Sequence, residues 1–163
     1  ETALPKGYAF QHTMFEECSD ADIGEFVKAF NDSFQDHWNF SSAPVERFIK
    51  VRDEDAKSGK CGRWTLAKKG AEIAGICFYG INTQYNKQNN KKVGWVNILG
   101  VRKPYRRLGL GRALLANAMC WLGGQGMDML YLSIDAENSK ALNLYTSLGF
   151  EVDDESVIYE LKL

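Results

Sequence analysis

Residues 93 to 134 constrain the chain most, because they read as a buried strand, a glycine turn, an amphipathic helix and a second buried strand in close succession. Val93 to Val101 is dense in apolar residues, with Val96, Ile98, Leu99 and Val101 suited to burial on both faces of a sheet. Pro104-Tyr105 and Arg106-Arg107-Leu108-Gly109-Leu110-Gly111 follow. Leu110, Ala113, Leu114, Ala118, Trp121 and Leu122 then recur at helical spacing, up to Gly123-Gly124. Met129 to Ile134 is a compact apolar strand. A strand, a crossover helix and a strand in one sheet require a parallel pairing.

The remaining elements fit around that unit. Ser19 with Asp22 resembles a capping box, and Ile23, Phe26, Val27, Phe30 and Phe34 lie on one face of the helix it would start. Pro44 suits the first turn of a second helix running to about residue 56, where Ser58-Gly59-Lys60 breaks it. Trp64 to Ala67 and Ile73 to Tyr79, around Lys68-Lys69-Gly70-Ala71, suit an antiparallel hairpin. In Asn82 to Lys92, six of eleven residues are Asn or Gln and three are Lys, which reads as an exposed loop. Ser139 to Leu148 is a short helix stopped by Gly149, and Phe150 to Val152 and Val157 to Leu161 read as closing strands. The expectation is one α/β (α+β) domain over residues 1–163. Its mixed, mostly antiparallel sheet has about six to seven strands, flanked by helices on both faces.

Composition bounds the function classes. Lys+Arg 20 against Asp+Glu 21 leaves a net charge of −1, which gives no field to steer a nucleic acid, so any anion site is local. Lys87, Lys91 and Lys92 therefore read as solvated loop residues rather than a nucleic-acid patch. Cys18, Cys61, Cys77 and Cys120 form no CxxC pair and read as reduced thiols. No run approaches the ~18 apolar residues of a spanning helix, and no charged-then-apolar leader opens the chain, so a cytoplasmic protein without membrane attachment is expected. The first residue is Glu1 rather than Met, as in a trimmed chain or one domain of something longer.

The glycine turn carries the chemistry. A helix N-terminus has amides without intrahelical partners and the positive end of the dipole, so it accepts phosphate oxygens. Gly109 and Gly111 let backbone approach a ligand, while Arg106 and Arg107 add local charge. The sequence has no GxxxxGK[ST] and no GxGxxG with an acidic ribose partner, which disfavours nucleotide triphosphatases and dinucleotide enzymes. A structural turn with two exposed arginines is the competing reading.

The stretch Asn97-Ile98-Leu99-Gly100-Val101, with Tyr105 to Arg112, resembles the Arg/Gln-x-x-Gly-x-Gly/Ala signature of the GNAT superfamily of N-acetyltransferases. Asn138-x-x-Ala141-Leu142-x-Leu144-Tyr145 and Leu148-Gly149-Phe150 resemble its second motif. The resemblance is clear over about residues 93 to 151. It implies acetyl-CoA as co-substrate and no metal, in keeping with isolated His12 and His37. Arg106 and the amides of Arg107, Leu108, Gly109, Leu110, Gly111 and Arg112 are implied to bind the pyrophosphate. The backbone of Leu99, Gly100 and Val101 is implied to pair with the pantetheine arm, which requires that strand to splay from its parallel neighbour. Asn138 is implied to bond the arm, and it also reads as a helix N-cap. Tyr145 is implied to be catalytic, protonating the departing thiolate. It also reads as a core tyrosine on the Ala141/Leu144/Leu148 face.

Many family members place a glutamate on the strand before the turn, and residues 93 to 101 contain no acid. Trp95 and Asn97 take the inward positions. Asp135, Glu137 and the Asp36-His37 pair are the remaining base candidates. Asp36 to Phe40, with Asn31 to Phe34, resembles the same region of mycothiol-synthase-like tandem proteins. The implied partners are a small-molecule or peptide amine acceptor and a second GNAT domain or a homodimer. Direct acetyl transfer to a primary amine is the principal expectation, and a coenzyme-binding module with little or no turnover is the alternative.

Overall fold

The computed structural model describes residues 4–37, 40–58, 60–134 and 138–154. It divides into two compact units, Glu1–Ser133 and Ile134–Leu163. The first is built on five strands, β1 (Ala9–Met14), β2 (Lys60–Lys69), β3 (Glu72–Asn82), β4 (Val93–Val101) and β5 (Met129–Leu132), hydrogen-bonded in that order. The first three pairings are antiparallel and β4 pairs β5 in parallel, as the crossover requires. The helices are α1 (Asp20–Phe34), α2 (Val45–Ser58), α3 (Thr83–Asn89), α4 (Leu110–Gly124) and, in the second unit, α5 (Ser139–Thr146).

Local chemistry starts these elements. Asp22 N donates to Ser19 Oγ at 3.1 Å and Ser19 N donates to Asp22 Oδ2 at 3.0 Å, the reciprocal capping box read for α1. The β2–β3 hairpin turns through Gly70, φ +60°, the first of two loop residues.

The sheet buries both faces. Trp64, 2% exposed, stacks between Phe15 and Phe26 at ring separations of 4.9 and 3.8 Å, beneath α1 and α2. Truncating such a side chain to Ala costs about 3–5 kcal/mol. The next residue, Thr65, points oppositely, as strand alternation dictates. Its hydroxyl lies 2.8 Å from Tyr79 Oη and 3.3 Å from Asn117 Oδ1 on α4. His12 Nδ1 joins this network at 2.9 Å. Gly100 lets α1 lie close on β4, since a Cβ there would come within 2.9 Å of both Ser33 Cβ and the Phe34 ring.

Four features depart from the expectation. The described residues hold five strands rather than six to seven. β1, not a helix, comes first, because its AFQHTM sequence is an edge strand with exposed Ala9, Gln11 and His12 and no clean alternation. The polar loop contains α3: Asn82 Oδ1 caps the amide of Tyr85 at 2.9 Å, and Asn90, φ +50°, terminates the helix in the left-handed region. The helix buries none of its residues, so the stretch is surface, as read. Phe150 to Val152 forms no strand. Phe150 instead closes α5, with Phe150 N on Tyr145 O at 3.1 Å, Gly149 N on Thr146 O at 3.0 Å and Gly149 at φ +88°. That is a Schellman closure. The strand expected at Val157 to Leu161 lies outside the described residues.

Candidate functional site

The glycine turn joins β4 to α4 through a short 3-10 turn, Lys103–Tyr105. Arg107 at φ +67° and Gly109 at φ +82° are both left-handed, two residues apart. Gly109 is the N-cap of α4 and brings no side chain to its first turn, which also contains no acid. The first helical bond runs from Ala113 N to Gly109 O at 3.0 Å, so Leu110 and Gly111 precede the ladder. Leu110 is buried and anchors the turn, Leu108 is 48% exposed, and Arg112 is half-buried in the first helical turn. This is a helix end shaped for an anion.

The two arginines of the turn differ sharply. Arg107 is exposed. Arg106 forks onto Asp36, with Nη1 on Oδ2 and Nη2 on Oδ1, the latter at 2.8 Å. Its Nη2 also donates to Ser33 O at 2.9 Å and its Nε to Val101 O at 3.0 Å. Arg102 Nε stands 3.1 Å from Asp32 Oδ2, off the N–H axis, so that contact is Coulombic. Arg102 Nη1 donates to Ile73 O at 2.9 Å. The Arg106 fork holds the Asp36 carboxyl down to about 2, far below a proton acceptor suited to neutral pH. His37 bonds through its amide to Phe34 O, and its ring lies 5.0 Å from the Phe34 ring. Asp135 and Glu137 lie outside the described residues.

Among the described ladders, one edge of β4 is paired over only part of its length. It pairs β5 only through Val93, Gly94, Trp95 and Val96, the last opposite Leu132. On its other edge Val96 faces Tyr79 and Ile98 faces Phe78, so Asn97 is an inserted bulge residue. Leu99, Gly100 and Val101 stay paired with Cys77, Ile76 and Gly75 of β3. Toward β5 the stretch from Asn97 to Val101 is unpaired within the described ladders.

A groove of about 300 Å³ opens beside the bulge, on the α2 side of the sheet. Gly62 and Gly80, paired across β2 and β3, leave its floor without side chains. A Cβ at Gly80 would fall 2.3 Å from Cys61 O, and one at Gly62 would fall 2.7 Å from the Phe78 ring. Val51 and Asp55 of α2 form one wall, and Trp95 and Asn97 of β4 the other. Trp95 is held edge-on by Tyr85 and Tyr131, at 5.6 and 5.2 Å. Asp55 is ion-paired with Lys60 at 2.9 Å. Trp95, half-buried, and Asn97, exposed, both line the groove. The glycine floor and Asp55 escaped the sequence reading, because only strand register brings them together.

In the second unit, Asn138 Oδ1 accepts from Ala141 N at 3.1 Å, the N-cap read from sequence, which uses the carboxamide oxygen and not its NH₂. Tyr145 is half-buried, seven residues on, with its ring 5.8 Å from Phe150.

Comparison with known proteins agrees with this geometry. The mycothiol acetyltransferase of Thermobifida fusca is 37% identical over 140 residues, 85% of this chain and 43% of that protein. That of Thermobispora bispora is 30% identical over 156 residues, 96% of this chain and 50% of that protein. The chain thus spans about half the length of the curated relatives it matches. An aminoglycoside N-acetyltransferase solved in complex with CoA shares the fold, with a TM-score of 0.69 over 99% of this chain and 100% of that one, at 15% identity. An aminoglycoside acetyltransferase from an uncultured soil metagenomic sample, in complex with sisomicin, does so with a TM-score of 0.67 over 96% and 97%, at 17% identity. The family model of the acetyltransferase (GNAT) family matches residues 23–150, and the chain belongs to that family.

Proposed function

We propose that the chain, as one GNAT domain over residues 1–163, transfers acetyl from acetyl-CoA to a primary amine by direct attack. The observation that carries this reading is the continuity of the open β4 edge, Asn97 to Val101, with the uncapped turn at Gly109. The strand edge suits an extended amide-bearing arm, which pairs with the backbone of Leu99, Gly100 and Val101 as an added strand. The amides from Arg107 through Arg112 then receive the pyrophosphate, with the Arg107 side chain supplying charge. Arg106 serves that end through its backbone and its hold on the turn. Asn138 offers its NH₂ to the arm.

The groove beside Asn97 takes the acceptor. An uncharged amine nitrogen attacks the thioester carbonyl, the C–N bond forms, and the C–S bond breaks with its electron pair on sulfur. The Tyr145 phenol gives its proton to that thiolate, and the proton lost by the amine passes to solvent. Cys18 and Cys77 are poor relay nucleophiles, since burial pushes their thiols up, that of Cys18 to about 11. The cytoplasm is the compartment this reading assigns, in keeping with four free cysteines. A second GNAT domain or a second copy is the partner it assigns, in keeping with relatives of about twice this length.

A coenzyme-binding module with little turnover is the second reading, favoured by the absence of any acid between Val93 and Val101. Turnover of acetyl-CoA with a panel of primary amines separates the two. Tyr145→Phe is expected to lower kcat by about 100-fold or more while acetyl-CoA binding persists. An unchanged rate removes Tyr145 from the mechanism, and no turnover with any amine favours the binding module.

A further inference from the structure

Arg106 belongs to the glycine turn in sequence and Asp36 meets it in space, and each is engaged by the other. The guanidinium of Arg106 holds three groups on two chain segments at once: Asp36 and Ser33 O at the end of α1, and Val101 O at the end of β4. A second rung lies one helical turn away, where Asp32 meets Arg102 and Arg102 holds Ile73 O of β3. Asp32 and Asp36 are four residues apart, and so are Arg102 and Arg106, so one acid in the last turn of α1 and one just beyond its end meet two arginines flanking the 3-10 turn. Just beyond these rungs lie the left-handed residues Arg107 and Gly109, a geometry that Arg107, having a Cβ, adopts only against a steric cost.

We propose that Asp36 and Arg106 are positioning residues for the coenzyme turn, which their bidentate pair, supported by Asp32 and Arg102, orders before any phosphate arrives. The inference rests on the acetyl-CoA reading above and adds to it a device that neither the signature motif nor the fold contains, because Asp36 stands outside the motif. Its physical basis is preorganisation. A turn already held in its binding geometry does not lose that freedom on association, so more of the contact energy appears as affinity. The fork also has a cost in charge, because it places a carboxylate beside a site for a polyanion and occupies a guanidinium that could face the ligand.

That cost makes the test decisive, since simple electrostatics and preorganisation predict opposite signs. If charge alone mattered, Asp36→Asn would remove an anion, release Arg106 and tighten acetyl-CoA. The positioning role predicts that Asp36→Asn, and Arg106→Lys with charge kept but the fork lost, weaken acetyl-CoA by about 10-fold, the size of one charge-assisted bond. Asp36→Glu is expected to recover part of that loss. S-acetylpantetheine lacks the pyrophosphate and does not use the turn, so its kcat/KM is expected to fall clearly less than that of acetyl-CoA in each variant. The measurements are calorimetry with acetyl-CoA and initial rates with both donors on the full chain, with melting curves for each variant. Equal or tighter acetyl-CoA binding by Asp36→Asn overturns the proposal, as does an equal loss with both donors, which indicates general damage. Failure of the unsubstituted chain to bind acetyl-CoA overturns the donor reading beneath it, and is distinguishable because it needs no variant.

Discussion

Val96 sits opposite Leu132 on the last rung between β4 and β5, and β4 runs on for five more residues, Asn97 to Val101, without a partner on that edge among the described ladders. The bulge at Asn97, on the β3 side, lies next to the last β4–β5 rung. Open strand edges exchange their amide hydrogens faster than paired ones. Hydrogen exchange over residues 93–101 is therefore expected to show faster exchange in the second half of the strand, slowed on addition of acetyl-CoA. Protection spread evenly over β1 to β3 instead would place the ligand elsewhere.

Gly100→Ala is expected to lower stability by about 1–3 kcal/mol, the usual cost of overpacking, because its Cβ would meet Ser33 and Phe34 at 2.9 Å. For a chain of this size that is a fall in Tm of several degrees. Gly94→Ala, whose Cβ would meet Leu122 at 2.7 Å on the α4 side, is expected to be similarly destabilising while leaving the α1 contact intact. An unchanged Tm in Gly100→Ala would mean that α1 does not rest on β4 as described.

The Asp36 carboxyl is held to about 2 by the Arg106 fork, against an ordinary value of about 3.9 in an unfolded chain. A carboxyl depressed in the folded state contributes stability above the unfolded value, and that contribution is lost as pH falls through the folded one. Wild-type and Asp36→Asn chains are thus expected to differ in unfolding free energy at pH 7, keep that difference down to about pH 4, and converge by about pH 2. Urea titrations at several pH values check this. A difference that varied between pH 6 and 8 would point to another group.

Trp95 forms one wall of the groove opposite Val51 and Asp55. Trp95→Ala is expected to raise KM for an accepted amine by about 10-fold or more, the loss of an aromatic wall, with acetyl-CoA affinity unchanged. Because Tyr85 and Tyr131 also pack on this ring, a melting curve must accompany the kinetics. Weaker acetyl-CoA with unaltered acceptor KM would reverse the assignment of donor and acceptor sides.

How much was legible in the sequence depended on the range of the interaction. The β4–turn–α4 unit could be read because apolar spacing, glycine placement and helix period coincide within twenty residues, and each has a local cause. The α1 cap, the hairpin at Gly70 and the close of α5 at Gly149 are local in the same sense. β1 was hidden because an exposed edge strand carries no alternation, and α3 because its helix is specified by Asn82 and Asn90 rather than by an apolar face. The site shows the same division. The left-handed glycine turn follows from its own residues, whereas the partner of Arg106 lies 70 residues away and the groove exists only through the Gly62–Gly80 register. Charge marked Arg106 and Arg107 alike; tertiary structure separates the clamped one from the exposed one.

The central claim is that the turn from Arg107 to Arg112 binds the pyrophosphate of acetyl-CoA, and Gly111→Glu tests it most directly. Glutamate in the first turn of α4 favours the helix through its dipole and its propensity, so the substitution should not unfold the element. Its carboxylate instead meets the ligand's phosphates. Calorimetry is expected to show saturable acetyl-CoA binding by the wild-type chain and none by Gly111→Glu at equal or higher Tm. Undiminished binding by the variant would contradict the account.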